Sequence, residues 1–156
     1  MKLLLLSCYN INNWDTMALT LRNRLDYCKK WDIDNVYMNV SYTASCMSKL
    51  MKPYRGYDYV ITIGEGVLFE NFQKDLKEIL SQKFLTVGCE KSTVNGNFIV
   101  WKPSGLMLEK FSLWEKECGG VEKALLKGID DKFWREHMDV IPYGEFCLGK
   151  LELPVV

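Results

Sequence analysis

The residues best suited to chemistry in this sequence surround a short bend, Gly64-Glu65-Gly66, here called the GEG turn. An apolar run at 60–63 precedes the GEG turn, and a second apolar run at 67–69 follows it. This pattern predicts a buried strand that ends at a functional edge and then leaves it. Two glycines beside one carboxylate allow another group to approach the backbone closely, so the GEG turn is a candidate ligand site.

The elements that must position the GEG turn alternate between strands and helices. Predicted strands cover 3–8, 35–40, 60–63, 67–69, 84–88, 95–101 and 140–142. Predicted helices cover 14–30, 71–80, 103–118, 121–127 and a segment from Asp130 or Asp131 to Met138, while 41–52 is ambiguous. Such alternation predicts one α/β domain over 1–156, with a mixed, mainly parallel sheet and helices on both faces. Asn71 is the expected N-cap of the helix at 71–80.

In a mainly parallel sheet, ligands collect where the strands end. The polar residues after the first predicted strand (Ser7, Tyr9, Asn10) and the GEG turn after the third therefore fall at one edge. Neither a phosphate-binding loop nor a dinucleotide-binding fingerprint is present there.

Composition narrows the class of protein. Twenty basic and twenty acidic residues give zero formal charge, so nucleic acid and membrane surfaces are not predicted partners. A short basic and aromatic stretch at 49–59 ends in Asp58 and does not change this expectation. Six cysteines without a Cys-x-x-Cys pair indicate reduced thiols, and the apolar start is too short for a signal peptide, so we predict a cytoplasmic protein. The 13% aromatic content is compatible with an oligomer surface, since aromatic residues are enriched at interfaces.

Several segments, in order, resemble motifs of the galactosyl/mannosyltransferase family of fungal mannan and plant xyloglucan enzymes. Asn23-Arg24-Leu25-Asp26-Tyr27-Cys28 resembles the family's Asn-Arg-x-x-Tyr-Ala helix, and Ser48-Lys49-Leu50 resembles its Ser-Lys step. The segment 57–71 resembles the strand that carries Asp-x-Asp, and Asn95-Gly96-Asn97-Phe98-Ile99-Val100 resembles the Asn-Ala-Gly-Val-Phe strand. Asp130-Asp131-Lys132 resembles the Asp-Gln pair that comes later, so the resemblance covers about residues 1–147.

The resemblance implies a compact GT-A-like (Rossmann-like) fold and a nucleotide-sugar donor. It also implies a divalent metal, Mn²⁺ or Mg²⁺, on the donor diphosphate, and glycosyl transfer with retained configuration. The implied catalytic residues are Asp130 and Asp131. The candidate nucleotide-sugar-binding residues are Ser7, Tyr9, Asn10, Asn23, Arg24, Lys49, Gly64, Glu65, Gly66, Asn95, Gly96 and Asn97.

This sequence departs from the family pattern at the metal site. The two aspartates of the motif fall at Gly64 and Gly66, which leaves Glu65 as a weak metal candidate. A hard cation normally needs two carboxylates besides the substrate phosphates. The family's late metal-binding histidine is also absent, because the single histidine, His137, lies in a charged helical segment.

Three functions are compatible with these residues. In the first, a transferase with weak or no metal dependence uses Lys49, Lys52, Arg55 or backbone N–H groups to stabilise the leaving diphosphate. In the second, the protein binds a nucleotide or nucleotide-sugar without catalysis. In the third, the fold is vestigial and serves a structural or interaction role; the acceptor is not specified by any of them.

Each candidate also has a plainer interpretation. Gly64 and Gly66 can simply shape a turn, and Lys49 can lie on a solvated face. Asp130 and Asp131 can cap a helix, and Asn23 and Arg24 can fix the first helix to the sheet.

Overall fold

A six-stranded mixed sheet organises the chain in the computed structural model, which describes residues 1–9, 14–39, 47–103, 105–146 and 148–151, without the side chains of Trp14 and Asn95. The sheet strands are β1 (Leu3–Cys8), β2 (Asp34–Met38), β3 (Tyr59–Ile63), β5 (Leu85–Glu90), β6 (Thr93–Trp101) and β7 (Met138–Pro142). Their order is β2-β1-β3-β6-β5-β7, and only β6 runs against its neighbours. The short strands β4 (Val67–Phe69) and β8 (Leu148–Lys150) pair antiparallel in a second sheet. The predicted mixed, mainly parallel α/β fold class is confirmed.

The helices are α1 (Trp14–Trp31), α2 (Met47–Leu50), α3 (Leu106–Cys118), α4 (Val121–Asp130) and α5 (Lys132–Glu136). Side chains alternate between the two faces of a strand. Leu4 and Leu6 of β1 therefore join one core, with α2, α3, α4 and α5, here called the α3 core. Leu3 and Leu5 join the other, with α1, β4 and β8, here called the α1 core. The prediction of helices on both faces of the sheet is thus confirmed.

The buried face of α1 differs from the predicted one. Apolar spacing predicts that Met17 or Ala18, Leu21, Leu25 and Cys28 face the sheet, but Ala18 and Leu25 are exposed and Met17 and Leu21 are only half-buried. The residues that α1 buries completely are Thr20, Arg24, Tyr27 and Cys28. A polar and a charged residue occupy inward positions because they find hydrogen-bond partners there, and hydrophobic periodicity cannot indicate such positions.

The helix predicted at 71–80 is wrong, since the only regular element there is a single 3₁₀ turn at Leu76–Glu78. Side chains of α1 satisfy the backbone of this segment instead. The indole nitrogen of Trp31 donates to the carbonyl oxygen of Phe72 at 2.9 Å, and the Tyr27 hydroxyl accepts from the Leu76 N–H at 3.0 Å. The apolar residues of 71–80 thus pack under α1 without forming a helix of their own.

The remaining boundaries mostly agree with the predictions. The strand predicted at 140–142 is confirmed as β7 at the edge of the sheet, but β8 follows it and was not predicted. The last helix ends at Glu136, before Met138, which begins β7. Residues 41–46 of the ambiguous segment lie outside the described residues; its remainder contains α2, and a 3₁₀ turn at Lys52–Tyr54 begins at its last residue.

Cys8, Cys28, Cys89 and Cys118 are free thiols, as predicted for these four. Burial raises the pKa of the Cys8 and Cys28 thiols to about 12, so both are unreactive at neutral pH. Among the described residues, no helix combines the length and the apolar character needed to cross a bilayer.

Candidate functional site

The GEG turn lies at the end of the sheet where β1 and β3 finish and β6 begins, here called the carboxyl edge. Ser7 is paired with Ile63, the last residue of β3. The Gly64 N–H donates to the carbonyl oxygen of Asn97 at 2.8 Å, which extends the pairing of β3 with β6 by one residue. The structure therefore brings Ser7, the GEG turn and Asn97 together. Asn10 lies outside the described residues.

Arg24 supports the GEG turn from the side of α1. Its side chain is completely buried, and Nη2 donates to the carbonyl oxygens of Gly64, Glu65 (3.1 Å) and Val67 (2.9 Å). Nε donates to Val67 as well, at 3.2 Å. One guanidinium thus binds three carbonyls of the segment 64–67, which fixes the backbone of the GEG turn and places a permanent positive charge beneath it.

Tyr9 joins the first strand to this arrangement. The guanidinium carbon of Arg24 lies 4.9 Å from the centre of the Tyr9 ring, within the range of a cation–π contact. The Thr20 hydroxyl donates to the carbonyl of Thr16, so the Tyr9 hydroxyl is the donor in its 2.7 Å bond to Thr20. Burial raises the pKa of Tyr9, and the positive charge of Arg24 opposes that rise while the negative charge of Glu65 adds to it. Arg24 and Glu65 therefore act on the Tyr9 hydroxyl with opposite sign.

The two glycines of the GEG turn have different surroundings. A Cβ on Gly64 would lie 2.8 Å from Oδ1 of Asn97 and 3.4 Å from its Cα, so Asn97 occupies the space that a side chain at 64 would need. A Cβ on Gly66 would meet only Cγ of Lys150, at 3.9 Å, an ordinary contact distance. Neither glycine has a positive φ, so close packing explains Gly64 and space remains at Gly66.

Glu65 is the carboxylate of the GEG turn and is half-buried. Within the described ranges, no group of three or more His, Cys, Asp or Glu side chains is placed to hold a metal ion. A single carboxylate in a turn that rests on the Arg24 guanidinium does not match the oxygen-rich, negatively charged donor set that Mn²⁺ or Mg²⁺ prefers. The metal role predicted for Glu65 stays a prediction, and the surrounding charges suit an anion better.

Asn23 lies one position before Arg24 but acts on a different strand. Its amide nitrogen donates to the Phe69 carbonyl at 2.9 Å, and its amide oxygen accepts from the Phe69 N–H at 2.8 Å. The Tyr27 ring stacks on the Phe69 ring with centroids 3.8 Å apart. Asn23 thus hydrogen-bonds to the backbone of β4 as a neighbouring strand would, in agreement with the interpretation that Asn23 fixes the first helix in place. Direct contact of Asn23 with a nucleotide-sugar stays a prediction.

Lys49 is exposed on α2, whose first turn is held by a buried carboxylate that sequence patterns do not reveal. Glu115 of α3 accepts from the N–H groups of Met47 (2.9 Å) and Ser48 (3.2 Å) and from the Ser48 hydroxyl (2.6 Å).

Arg55 contacts Glu109 at 3.5 Å in the segment that leads into the start of β3, away from the carboxyl edge. Asn95 and Gly96 precede Asn97 on β6, next to the carboxyl edge.

Asp130 and Asp131 lie at the other end of the sheet. Oδ1 of Asp131 accepts from the N–H of Trp134 at 3.0 Å, so Asp131 is the N-cap of α5, and Asp130 is exposed at the end of α4. The helix α5 is one turn long and leads directly into β7, whose first residue pairs with Leu85 at the start of β5. The structure therefore does not bring this pair to the GEG turn, and their catalytic role stays a prediction.

Lys150 is the site residue that sequence reasoning missed. The strand β8 pairs with β4, with Lys150 opposite Val67. Three residues, Leu148-Gly149-Lys150, carry no periodic pattern, so no local signal could place them at the GEG turn.

Comparisons with known proteins bear on the fold. No protein-family model matches the sequence, and no curated protein matches it. A glycosyltransferase involved in the glycosylation of the major capsid of PBCV-1 has a similar structure, with a TM-score of 0.66 at 10% sequence identity over 92% of this chain and 83% of that one. The fold is that of GT-A glycosyltransferases. The galactosyltransferase LgtC, in complex with donor and acceptor sugar analogues, matches with a TM-score of 0.50 at 9% identity over 90% of this chain and 73% of that one.

Proposed function

We propose that this protein is a glycosyltransferase-like protein that binds a nucleotide-sugar donor at the carboxyl edge, with weak or no dependence on a metal ion. The observation that carries the proposal is the GEG turn itself, at the end of β3 and held by the buried guanidinium of Arg24. Ligands of open α/β sheets bind at this edge. The GT-A fold favours the same edge and a sugar-nucleotide ligand.

The proposed chemistry rests on charge. The diphosphate of a nucleotide-sugar carries the negative charge of the ligand, and it gains more when the glycosidic bond breaks. Fixed positive groups in a partly buried site stabilise that charge without reorganisation. Arg24 lies beneath the GEG turn and Lys150 beside it, whereas Glu65 contributes one negative charge. These groups favour binding of the diphosphate directly.

A second candidate function is binding of a nucleotide or nucleotide-sugar without transfer. The specific observation in its favour is the position of Asp130 and Asp131, the residues that the family resemblance nominates for catalysis. Asp131 caps α5 at the opposite end of the sheet from the GEG turn. In this function the carboxyl edge binds the ligand without a contribution from Asp130 or Asp131.

One experiment separates these functions. We would incubate the protein with a panel of uridine, guanosine, adenosine and cytidine diphosphate sugars, with EDTA or with Mn²⁺, and measure both thermal unfolding and released nucleoside diphosphate. A ligand at 100 times its Kd stabilises by about 2.7 kcal/mol, which raises Tm by about 5–10 °C in a domain of this size. We expect such a shift with at least one donor in EDTA.

Released nucleoside diphosphate would support the transferase, and Asp130→Ala and Asp131→Ala would then test the predicted catalytic pair. A thermal shift without turnover would support the binding function. No shift and no turnover with any donor, in EDTA or in Mn²⁺, would refute both and leave the structural role.

A further inference from the structure

The strand β8 lies beside the GEG turn and places Lys150 next to it. The N–H of Leu151 donates to the carbonyl oxygen of Gly66 at 2.6 Å, which continues the pairing of β8 with β4 up to the turn. Cγ of Lys150 lies 3.9 Å from the point where a Cβ on Gly66 would stand. The aliphatic part of Lys150 therefore lies against Gly66, and Lys150 as a whole is exposed.

Lys150 forms no ion pair with any residue in the described part of the chain. The ion pairs there join Arg22 to Asp26, Arg55 to Glu109 and Lys83 to Asp139, and none of them includes Lys150. An aspartate at position 66 would put a carboxylate within reach of the ammonium group. Glycine at this position leaves that charge available for an external anion.

We infer that Lys150 binds the phosphate groups of the ligand at the GEG turn and takes the electrostatic role that a divalent cation would otherwise have there. The inference rests on the proposed function for the identity of the ligand, a nucleoside diphosphate or its sugar ester. Lysine acts as a point charge toward phosphate and needs no fixed geometry. The backbone of the GEG turn, fixed by Arg24, supplies the rigid side of the site, and Lys150 supplies the mobile charge.

The test uses isothermal titration of the full chain with UDP, GDP and inorganic pyrophosphate in EDTA. Lys150→Ala removes the charge at an exposed position, where we expect the fold to tolerate the change. We expect it to weaken binding of the diphosphates about tenfold, as for loss of one charge-assisted contact. Lys150→Arg should keep the affinity within about threefold, since it retains the charge. Lys127→Ala, at an exposed position on α4, is the matched control and should change nothing.

Substitution of Gly66 gives an independent test of the same site. Gly66→Asp introduces a carboxylate next to Lys150 in space that a Cβ can occupy. It should weaken diphosphate binding in EDTA by at least as much as Lys150→Ala. The nucleosides uridine and guanosine, which carry no phosphate, should bind the Lys150→Ala protein and the wild type equally.

The outcomes distinguish this inference from the proposed function. If the wild type binds a nucleoside diphosphate and Lys150→Ala binds it equally well, the inference is overturned and the proposed function stands. Binding that requires Mn²⁺ and disappears in EDTA also overturns it. If the wild type binds pyrophosphate through Lys150 but no nucleotide or nucleotide-sugar, the anion site is supported and the proposed function fails. No binding of any of these ligands refutes both.

Discussion

Arg24 is a charged side chain in a core position, and its contacts explain why the position tolerates it. Burial of an unpaired guanidinium would be strongly unfavourable. Here Arg24 donates to three backbone carbonyls, those of Gly64, Glu65 and Val67, where the chain passes from β3 into β4. The cost of burying the charge and the cost of burying these carbonyls are offset by the same bonds. Arg24 consequently determines the conformation of the GEG turn.

The two glycines of the GEG turn provide a matched pair of substitutions. Gly64→Ala forces a Cβ to within 2.8 Å of Oδ1 of Asn97, so Asn97 must move. We expect it to lower the free energy of unfolding by about 1–3 kcal/mol, the usual cost of overpacking. Gly66→Ala meets only Lys150 at 3.9 Å and should be neutral or stabilising by up to about 1 kcal/mol, because alanine restricts the unfolded chain. Urea unfolding followed by circular dichroism measures both.

A double variant sharpens this comparison. In Asn97→Ala the obstructing amide is absent, so the further change Gly64→Ala should cost less than it does in the wild type. If Gly64→Ala and Gly66→Ala had the same effect on stability, close approach to Asn97 would not be the reason for glycine at 64.

At the scale of the element, α2 shows how a very short helix is held in place. Four residues form too little helix to persist alone, yet α2 is anchored because Glu115 of α3 accepts three hydrogen bonds from its first turn. The contact is a helix cap that another helix supplies. It orients the segment that carries Lys49.

Glu115→Ala should therefore loosen α2. It removes the acceptor of the Met47 and Ser48 N–H groups, and we expect a loss of about 2–3 kcal/mol in the free energy of unfolding. Hydrogen exchange of the α2 amides should accelerate more than exchange in β1 or β3. Glu117→Ala, at an exposed position of the same helix, should change stability by less than about 0.5 kcal/mol. Equal effects of the two substitutions would mean that the buried carboxylate does not anchor α2.

The elements also show what the sequence could predict. Long apolar or amphipathic runs such as β1, β3, α1 and α3 were predicted close to their observed bounds, because their period depends on local residues alone. The helix predicted at 71–80 failed because hydrogen bonds from Tyr27 and Trp31, more than 40 residues away, replaced the helical ones. For the same reason the site was predicted only in part. The GEG turn was indicated by its glycines, but Lys150 reaches it through a long-range pairing of β8 with β4.

The whole molecule is built on one sheet shared by two cores. Adjacent residues of a strand belong to different cores, as Val60 and Ile61 of β3 do. Loss of packing on either face should therefore disturb the strands that the other face needs. This arrangement also links the site to both cores, since β3 and β6 meet at the GEG turn while their side chains pack on both faces.

Two completely buried isoleucines on neighbouring strands test this coupling. Ile99→Ala opens a cavity in the α3 core and Ile61→Ala opens one in the α1 core, each at an expected cost of about 2–5 kcal/mol. Because both cores share the sheet, each variant should still unfold in a single transition, with tryptophan fluorescence and far-ultraviolet circular dichroism giving the same midpoint. Trp101 and Trp134 lie in the α3 core and Trp31 packs against the α1 core, so if the cores unfolded independently, the fluorescence and the circular dichroism of Ile61→Ala would each show two transitions. Coincident midpoints in both variants would mean that the two cores and the GEG turn between them unfold together. In that case ligand binding should weaken only near the unfolding transition.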